Sequence, residues 1–149
     1  YLEIIKDRLY NPEKRGKQQQ ESARYTLYHS LLAILKLWAP IMPYITEEIY
    51  QRFFEQREKE KSIHIAGWPK YEKKLENRKL EEAGKEFLSI IKECRMFKTK
   101  NSKSLKEPIL LQLPKKYKKA FNTSLLADLQ STANATITFS KELKIQFRE

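Results

Sequence analysis

The residues of this chain that could do chemistry are two histidines, one cysteine and a dense run of lysines. His64 stands in SIHIAGWP, residues 62–69, and an imidazole titrates near neutral pH. The only other histidine is His29, and no Ser, Cys and carboxylate set stands at a spacing that completes a triad or a metal site. His64 therefore reads as a structural or surface side chain. Cys94 is the single cysteine, so the chain builds neither a disulfide framework nor a cysteine-based zinc site of its own, and a reducing compartment suits it. Gly16, Gly67 and Gly84 are too scattered to cradle a phosphate in a glycine-rich loop. No paired carboxylates or nucleophile elbow stand out, so a binding module is favoured over an active site.

What remains is cation chemistry. Net charge is +11, from 30 Lys and Arg against 19 Asp and Glu. Residues 57–86 mix nine cations with seven anions, as a solvated, ion-paired surface would, whereas residues 92–119 hold ten cations and two anions. Such a concentration suits a polyanionic partner, nucleic acid before membrane, because each neutralised phosphate releases counterions.

Helices must position these charges. The chain opens mid-pattern in YLEIIKDRLY, with Leu2, Ile5 and Leu9 at helical spacing, and reads as a piece of a longer protein. Pro12 and Gly16 end that helix in a loop. A long helix over 22–39 follows, with Ala23, Leu27, Leu31, Ile34, Leu35 and Trp38 as its apolar stripe. Pro40 ends it and Pro43 keeps the link extended. Thr46 is expected to cap the next helix, with Glu47 and Glu48 at its positive end and Ile45 and Tyr50 as a hydrophobic staple. Ile49, Tyr50, Phe53 and Phe54 would then pack back on the stripe as an antiparallel hairpin. Ile63 and Ile65 predict a short extended piece, with Trp68 as a core plug.

A further helix is predicted over 72–100, burying Leu75, Leu80, Ala83, Phe87, Ile90, Ile91, Cys94 and Phe97, with Lys92, Arg95 and Lys98 beside or opposite that stripe. ILLQL at 109–113 reads as a buried strand, and residues 115–130 as a helix opened by Pro114. ATITF and LKIQF alternate around SKE as a β-hairpin. The fold class is mainly α: an antiparallel helical bundle over residues 1–106, with a small β-α-β-β subdomain over 107–149 docked on it. No apolar run reaches the roughly 20 residues of a membrane helix, because Lys36 and Pro40 interrupt LLAILKLWAPIM.

YLEIIKDRLYN, then ARYTLYHSLLAILKLWAPIMPYITEEIY, then SIHIAGWP together resemble the anticodon-binding region of class I aminoacyl-tRNA synthetases of the Ile/Leu/Val group, its valyl branch most of all. The resemblance covers residues 1–69, and MPYITEEIY is its most specific piece. It implies a helix bundle that grips the anticodon stem and loop of tRNA, joined to a catalytic domain that uses ATP and magnesium and works in the cytoplasm. The family's two ATP-site signatures are absent from this sequence, and KTKNSKS at 98–104 echoes one of them in composition only. No cofactor, metal or catalytic residue is expected within the chain. Its partners would be tRNA and the remaining domains of the parent synthetase, with no membrane. From charge clustering, Arg95, Lys98, Lys100 and Lys103 are the expected phosphate contacts, with Arg8, Lys14, Arg15 and Arg24 as a second group. The alternatives are the same region of an isoleucyl or leucyl enzyme, or a basic helical module that binds an acidic protein. A DNA-binding bundle would need a recognition helix, and none is visible.

Overall fold

In the computed structural model, residues 1–148 are described, and they fall into two compact units. One combines Tyr1–Gln19 with the chain from Glu76 onward; the other is Gln20–Leu75. The architecture is mainly helical with one small sheet, as expected. The division into units does not follow the expected boundary at 106/107. The helix before that boundary buries its apolar face in the same core as the strands after it, so it belongs with them. Among the described residues no helix is long and apolar enough to cross a membrane.

The first unit is built around β1 (Ile109–Pro114), whose Ile109, Leu111 and Leu113 are completely buried. Each such side chain contributes about 1.5–3 kcal/mol by leaving water. β2 (Ala135–Ser140) pairs with β1 in parallel and β3 (Lys144–Phe147) pairs with it antiparallel on the other edge, giving the order β2-β1-β3. The expected hairpin between the last two strands does not form. β1 is the most apolar strand and is stabilised by pairing on both edges, so β2 and β3 flank it instead of each other. A parallel pair needs a long crossover. The short α7 (Tyr117–Ala120) and α8 (Thr123–Ala133) supply it. They replace the single helix expected over 115–130, because Asn122 interrupts the run and its side chain accepts from the Leu125 N–H at 2.8 Å as a new cap.

α6 (Arg78–Lys100) starts later than expected, at an Asn77 cap whose side chain accepts from the Leu80 N–H. Leu75 and Leu80 are consequently exposed, while Phe87, Ile90, Ile91 and Cys94 enter the core with β1, Phe121, Leu129 and Ala133. Burial pushes the Cys94 thiol up to about 11, so it remains a neutral, unreactive thiol. α1 (Leu2–Tyr10) buries Ile5, and the one-turn α2 (Pro12–Arg15) follows it.

The second unit holds most of α3 (Lys17–Trp38), then α4 (Pro43–Phe53) and the short α5 (Glu55–Glu58). Its core is Leu32, Leu35, Ala39, Tyr50, Phe54 and Ile63, with Tyr28 and Ile49 half-buried against it. The buried stripe of α3 is thus offset from the expected one: Leu31, Ile34 and Trp38 are exposed. Over residues 31–38 this helix is apolar nearly all round and so has several stripes of the right period, and α4 selects the one that Tyr50 and Phe54 can reach.

The corner also differs from expectation. Pro43 opens α4 at its first position, where a missing N–H costs nothing, so Thr46 lies inside the helix. Its buried hydroxyl donates to the Met42 and Pro43 carbonyls at 2.8 and 3.1 Å. No acidic residue sits in the first turn of α4, and Ile45 is exposed and staples nothing. Phe53, Ile65 and Trp68 are exposed as well, and residues 63–65 form a turn within an irregular segment instead of a strand.

Glu47 has a different task. It accepts from Gln51 Nε2 at 2.6 Å, Ser62 Oγ at 2.9 Å and the Ile63 N–H at 3.0 Å, fastening the following segment to α4. Partial burial raises its pKa, but these three hydrogen bonds outweigh that effect and leave it lowered. A lowered carboxylate contributes stability above its unfolded value and loses it as pH falls through the folded one. Glu47→Gln should therefore lower the melting temperature most above its ordinary value of 4.5, with the gap to wild type closing in more acidic buffer. A gap independent of pH would contradict this role.

Candidate nucleic-acid interface

The charge excess is concentrated in the sheet-containing unit, which holds 21 Lys and Arg against 12 Asp and Glu, compared with nine against seven in the other. The eight cations expected to contact phosphate divide into two kinds. Three of them are held inside the fold.

Arg8 and Arg15 converge on Asp128, a carboxylate only 1% exposed on α8. Arg8 Nε donates to both carboxylate oxygens at 2.9 and 3.0 Å, and its Nη2 adds a third bond to Asp128. Arg15 Nη2 donates to the same carboxylate at 2.5 Å and to the Ser124 carbonyl at 3.1 Å, while its Nη1 reaches Asp7 at 3.3 Å. The Asp128 hydrogen bond, acting against burial, raises the pKa of Arg8. Both guanidinium groups already have a buried anion, which corrects their placement among the phosphate contacts.

Lys98 is the third correction. It is 1% exposed, and its ammonium donates to the Ala133 carbonyl at 2.6 Å and the Leu105 carbonyl at 2.8 Å. Burial lowers its pKa. The side chain ties the end of α6 to the end of α8 and to the loop before β1. Its position was legible: Phe87, Ile91, Cys94 and Lys98 recur at steps of four, three and four residues, so the buried stripe passes through the lysine.

Arg95, Lys100, Lys103 and Lys14 are exposed and form no salt bridge among the described residues. Arg95 and Lys100 share one face of α6 with Lys92 at i, i+3 and i+8, and these three rim an open groove of about 480 Å³ floored by Leu88, Ile91 and Met96. Lys92 was not among the candidates, although the same spacing marks it. Nor were Lys115, Lys116, Lys118 and Lys119 around α7, all exposed. Lys116 lies 4.6 Å from the Tyr117 ring centroid and 3.5 Å from Glu86.

Arg24 belongs to the other unit, exposed and paired with Glu21 at 2.9 Å. It lines a hollow of about 450 Å³ with Tyr25, Tyr28 and His29. Tyr28 donates to Glu58 at 2.8 Å there, and its pKa is pushed up to about 12 by burial and then by that carboxylate. His64 is exposed, 3.9 Å from Glu47. Among the described residues no three His, Cys, Asp or Glu side chains are gathered that could hold a metal ion.

The groove is open, stands on a helical scaffold and is rimmed by three exposed cations. The family model described as the anticodon-binding domain of tRNA ligase matches residues 1–114, and the chain belongs to that family. A valine–tRNA ligase of Methanopyrus kandleri is 41% identical over 99 residues, which is 66% of this chain and 10% of the relative. One from Rickettsia rickettsii (strain Sheila Smith) is 42% identical over 113 residues, 74% of this chain and 13% of the relative. One from Thermococcus kodakarensis is 35% identical over 105 residues, 70% and 12%. The chain thus spans about one tenth to one eighth of the length of these relatives.

Two substitutions on α6 separate the kinds of cation. Lys98→Ala removes two charge-assisted hydrogen bonds and should cost about 2–4 kcal/mol of unfolding free energy. Arg95→Ala should stay within about 0.5 kcal/mol of wild type. Asp128→Ala takes the shared carboxylate from two guanidinium groups, leaving Arg15 with Asp7 and the Ser124 carbonyl, and should cost about 3–5 kcal/mol. Urea denaturation of the three variants measures all of this, and equal stability for Lys98→Ala and Arg95→Ala would contradict the burial of Lys98.

Proposed function

We propose that this chain recognises the anticodon stem and loop of tRNA as part of a valine–tRNA ligase, while ATP-dependent joining of valine to tRNA is carried out by portions of the parent enzyme outside these residues. The observation that carries this reading is the family match over residues 1–114 together with relatives named as valine–tRNA ligases. The same relatives favour the valyl enzyme over the isoleucyl and leucyl ones. The charge excess of the sheet-containing unit supports an RNA partner over an acidic protein.

In the mechanism, cations fix the position of the RNA and unpaired loop bases supply the sequence information, since a paired A-form groove hides its base edges. Lys92, Arg95 and Lys100 on α6 hold successive phosphates. Lys103 and Lys14 add contacts in the same unit, Arg24 is a separate candidate in the other unit, and Arg8, Arg15 and Lys98 contribute through the fold alone. Held this way, the tRNA presents its acceptor end to the catalytic portion of the parent enzyme. That enzyme takes up ATP and magnesium and works in the cytoplasm.

Binding of the 149-residue protein to tRNA transcripts that differ only in the anticodon tests the reading. The valine anticodon should bind more tightly, and log K should fall steeply with log salt. Arg95→Ala combined with Lys100→Ala should weaken all transcripts alike and flatten that slope by about two, one for each lost phosphate contact. Equal affinity for valine and non-valine anticodons would remove anticodon reading from this chain, and binding indifferent to salt would remove the phosphate contacts.

A further inference from the structure

Arg95 lines a second cavity besides the α6 groove. This cleft of about 320 Å³ lies within the sheet-containing unit, where the end of α1 and the end of α8 meet α6, and Tyr10, Asn11, Ser131 and Thr132 contribute to it. Its volume is at the low end for small-ligand sites, the size of one nucleotide and too small for a folded peptide element. Three observations bear on what could enter.

The Tyr10 ring is 77% exposed at the mouth, and an aromatic face left in water there is a platform on which a base can stack. Thr132 lines the cleft too, but its Oγ1 is buried, with no hydrogen-bond partner among the described residues, so the wall it adds offers an incoming group no accessible oxygen. The Asn11 amide uses its nitrogen on Asp7 at 2.7 Å, which leaves its carbonyl oxygen able to accept. Glu3 and Asp7 also line the cleft, paired with Lys6 at 2.6 Å and with Arg15 at 3.3 Å. With Lys6 and Arg95 in the same lining, the two carboxylates are balanced and the cleft carries no net formal charge, which suits a neutral heterocycle.

The geometry points to a seat for one unpaired nucleotide: its base stacks on Tyr10 with a polar edge toward Asn11, and its phosphate stays outside on Arg95, at the entrance to the α6 groove. This rests on the proposed RNA-binding function and names where a base would be held. Arg95 joins the two cavities, so a strand tracking the cations of α6 can turn a single base into the cleft without leaving them.

The test uses the 149-residue protein and an anticodon stem-loop RNA in which 2-aminopurine replaces one loop base at a time. With wild type, one loop position should lose most of its fluorescence on binding, as stacking on an aromatic ring requires. Tyr10→Leu should abolish that quench and weaken stem-loop binding about tenfold, in line with the loss of one base–aromatic stack. Tyr10→Phe should keep both, and binding of a fully paired stem without the loop should be insensitive to all Tyr10 variants. The exposed position of Tyr10 lets each variant fold, which its melting temperature checks. If Tyr10→Leu keeps wild-type affinity and quenching while the protein still prefers the valine anticodon, the nucleotide seat is wrong and the proposed function stands. If wild type binds no stem-loop, both fall. Saturation of the cleft by 2-aminopurine riboside monophosphate alone, with no gain from the stem-loop, would overturn the assignment to an RNA strand.

Discussion

Asp128 sits on α8 with 1% of its surface exposed, and a carboxylate in that place is tolerable only because Arg8 and Arg15 reach it from α1 and α2. The pairing joins residues about 120 positions apart in the chain and fixes the N-terminal segment against the crossover helix of the sheet. Much else follows from it. The end of α1, where Tyr10 and Asn11 line the polar cleft, is placed by the same contact, and Lys98 fastens the opposite end of α8 to α6. Removing one arginine would leave the buried carboxylate with half of its pairing, and removing both would leave it with none, so these two cations cannot be lent to a ligand without loosening the unit.

This explains why charge alone is a poor guide to which cations are free to meet a ligand. In a chain with 30 Lys and Arg, burial and pairing decide which are free. On α6 the decision is made by helical phase. The face through Phe87, Ile91 and Cys94 carries Lys98 inward, and the face through Leu88 carries Lys92, Arg95 and Lys100 outward. The free cations then stand on a helix whose opposite side is fixed in the core, a rigid base for contacts that must hold register along a phosphate backbone.

Much of the fold was legible in the sequence, and the reasons for the rest are specific. The helices around Leu2–Tyr10, Lys17–Trp38 and Arg78–Lys100 follow from apolar periodicity, and the strand at Ile109–Pro114 from its apolar run. Strand partners did not, because ATITF and LKIQF carry the alternation of a hairpin whether they pair with each other or with β1 on either side. The stripe of α3 misled because Leu31 and Leu32, or Ile34 and Leu35, satisfy the helical period equally until α4 supplies partners. Pro43 and Thr46 were each read for a true preference, and proline at the first helical position prevailed over threonine at the cap. At the candidate interface the position of Arg95 was readable, whereas Asp128 as the partner of Arg8 and Arg15 was not, since no local pattern links residues so far apart.

The account separates cations that build the protein from cations that are available to RNA, and lysine acetylation with and without bound tRNA measures that separation directly. With a limiting acetylating reagent, Lys92, Lys100 and Lys103 should react readily in the free protein and be protected when valine tRNA is bound, while Lys98 stays slow in both states. Equal reactivity of Lys92 and Lys100 in the free and bound protein, or fast modification of Lys98, would contradict the account.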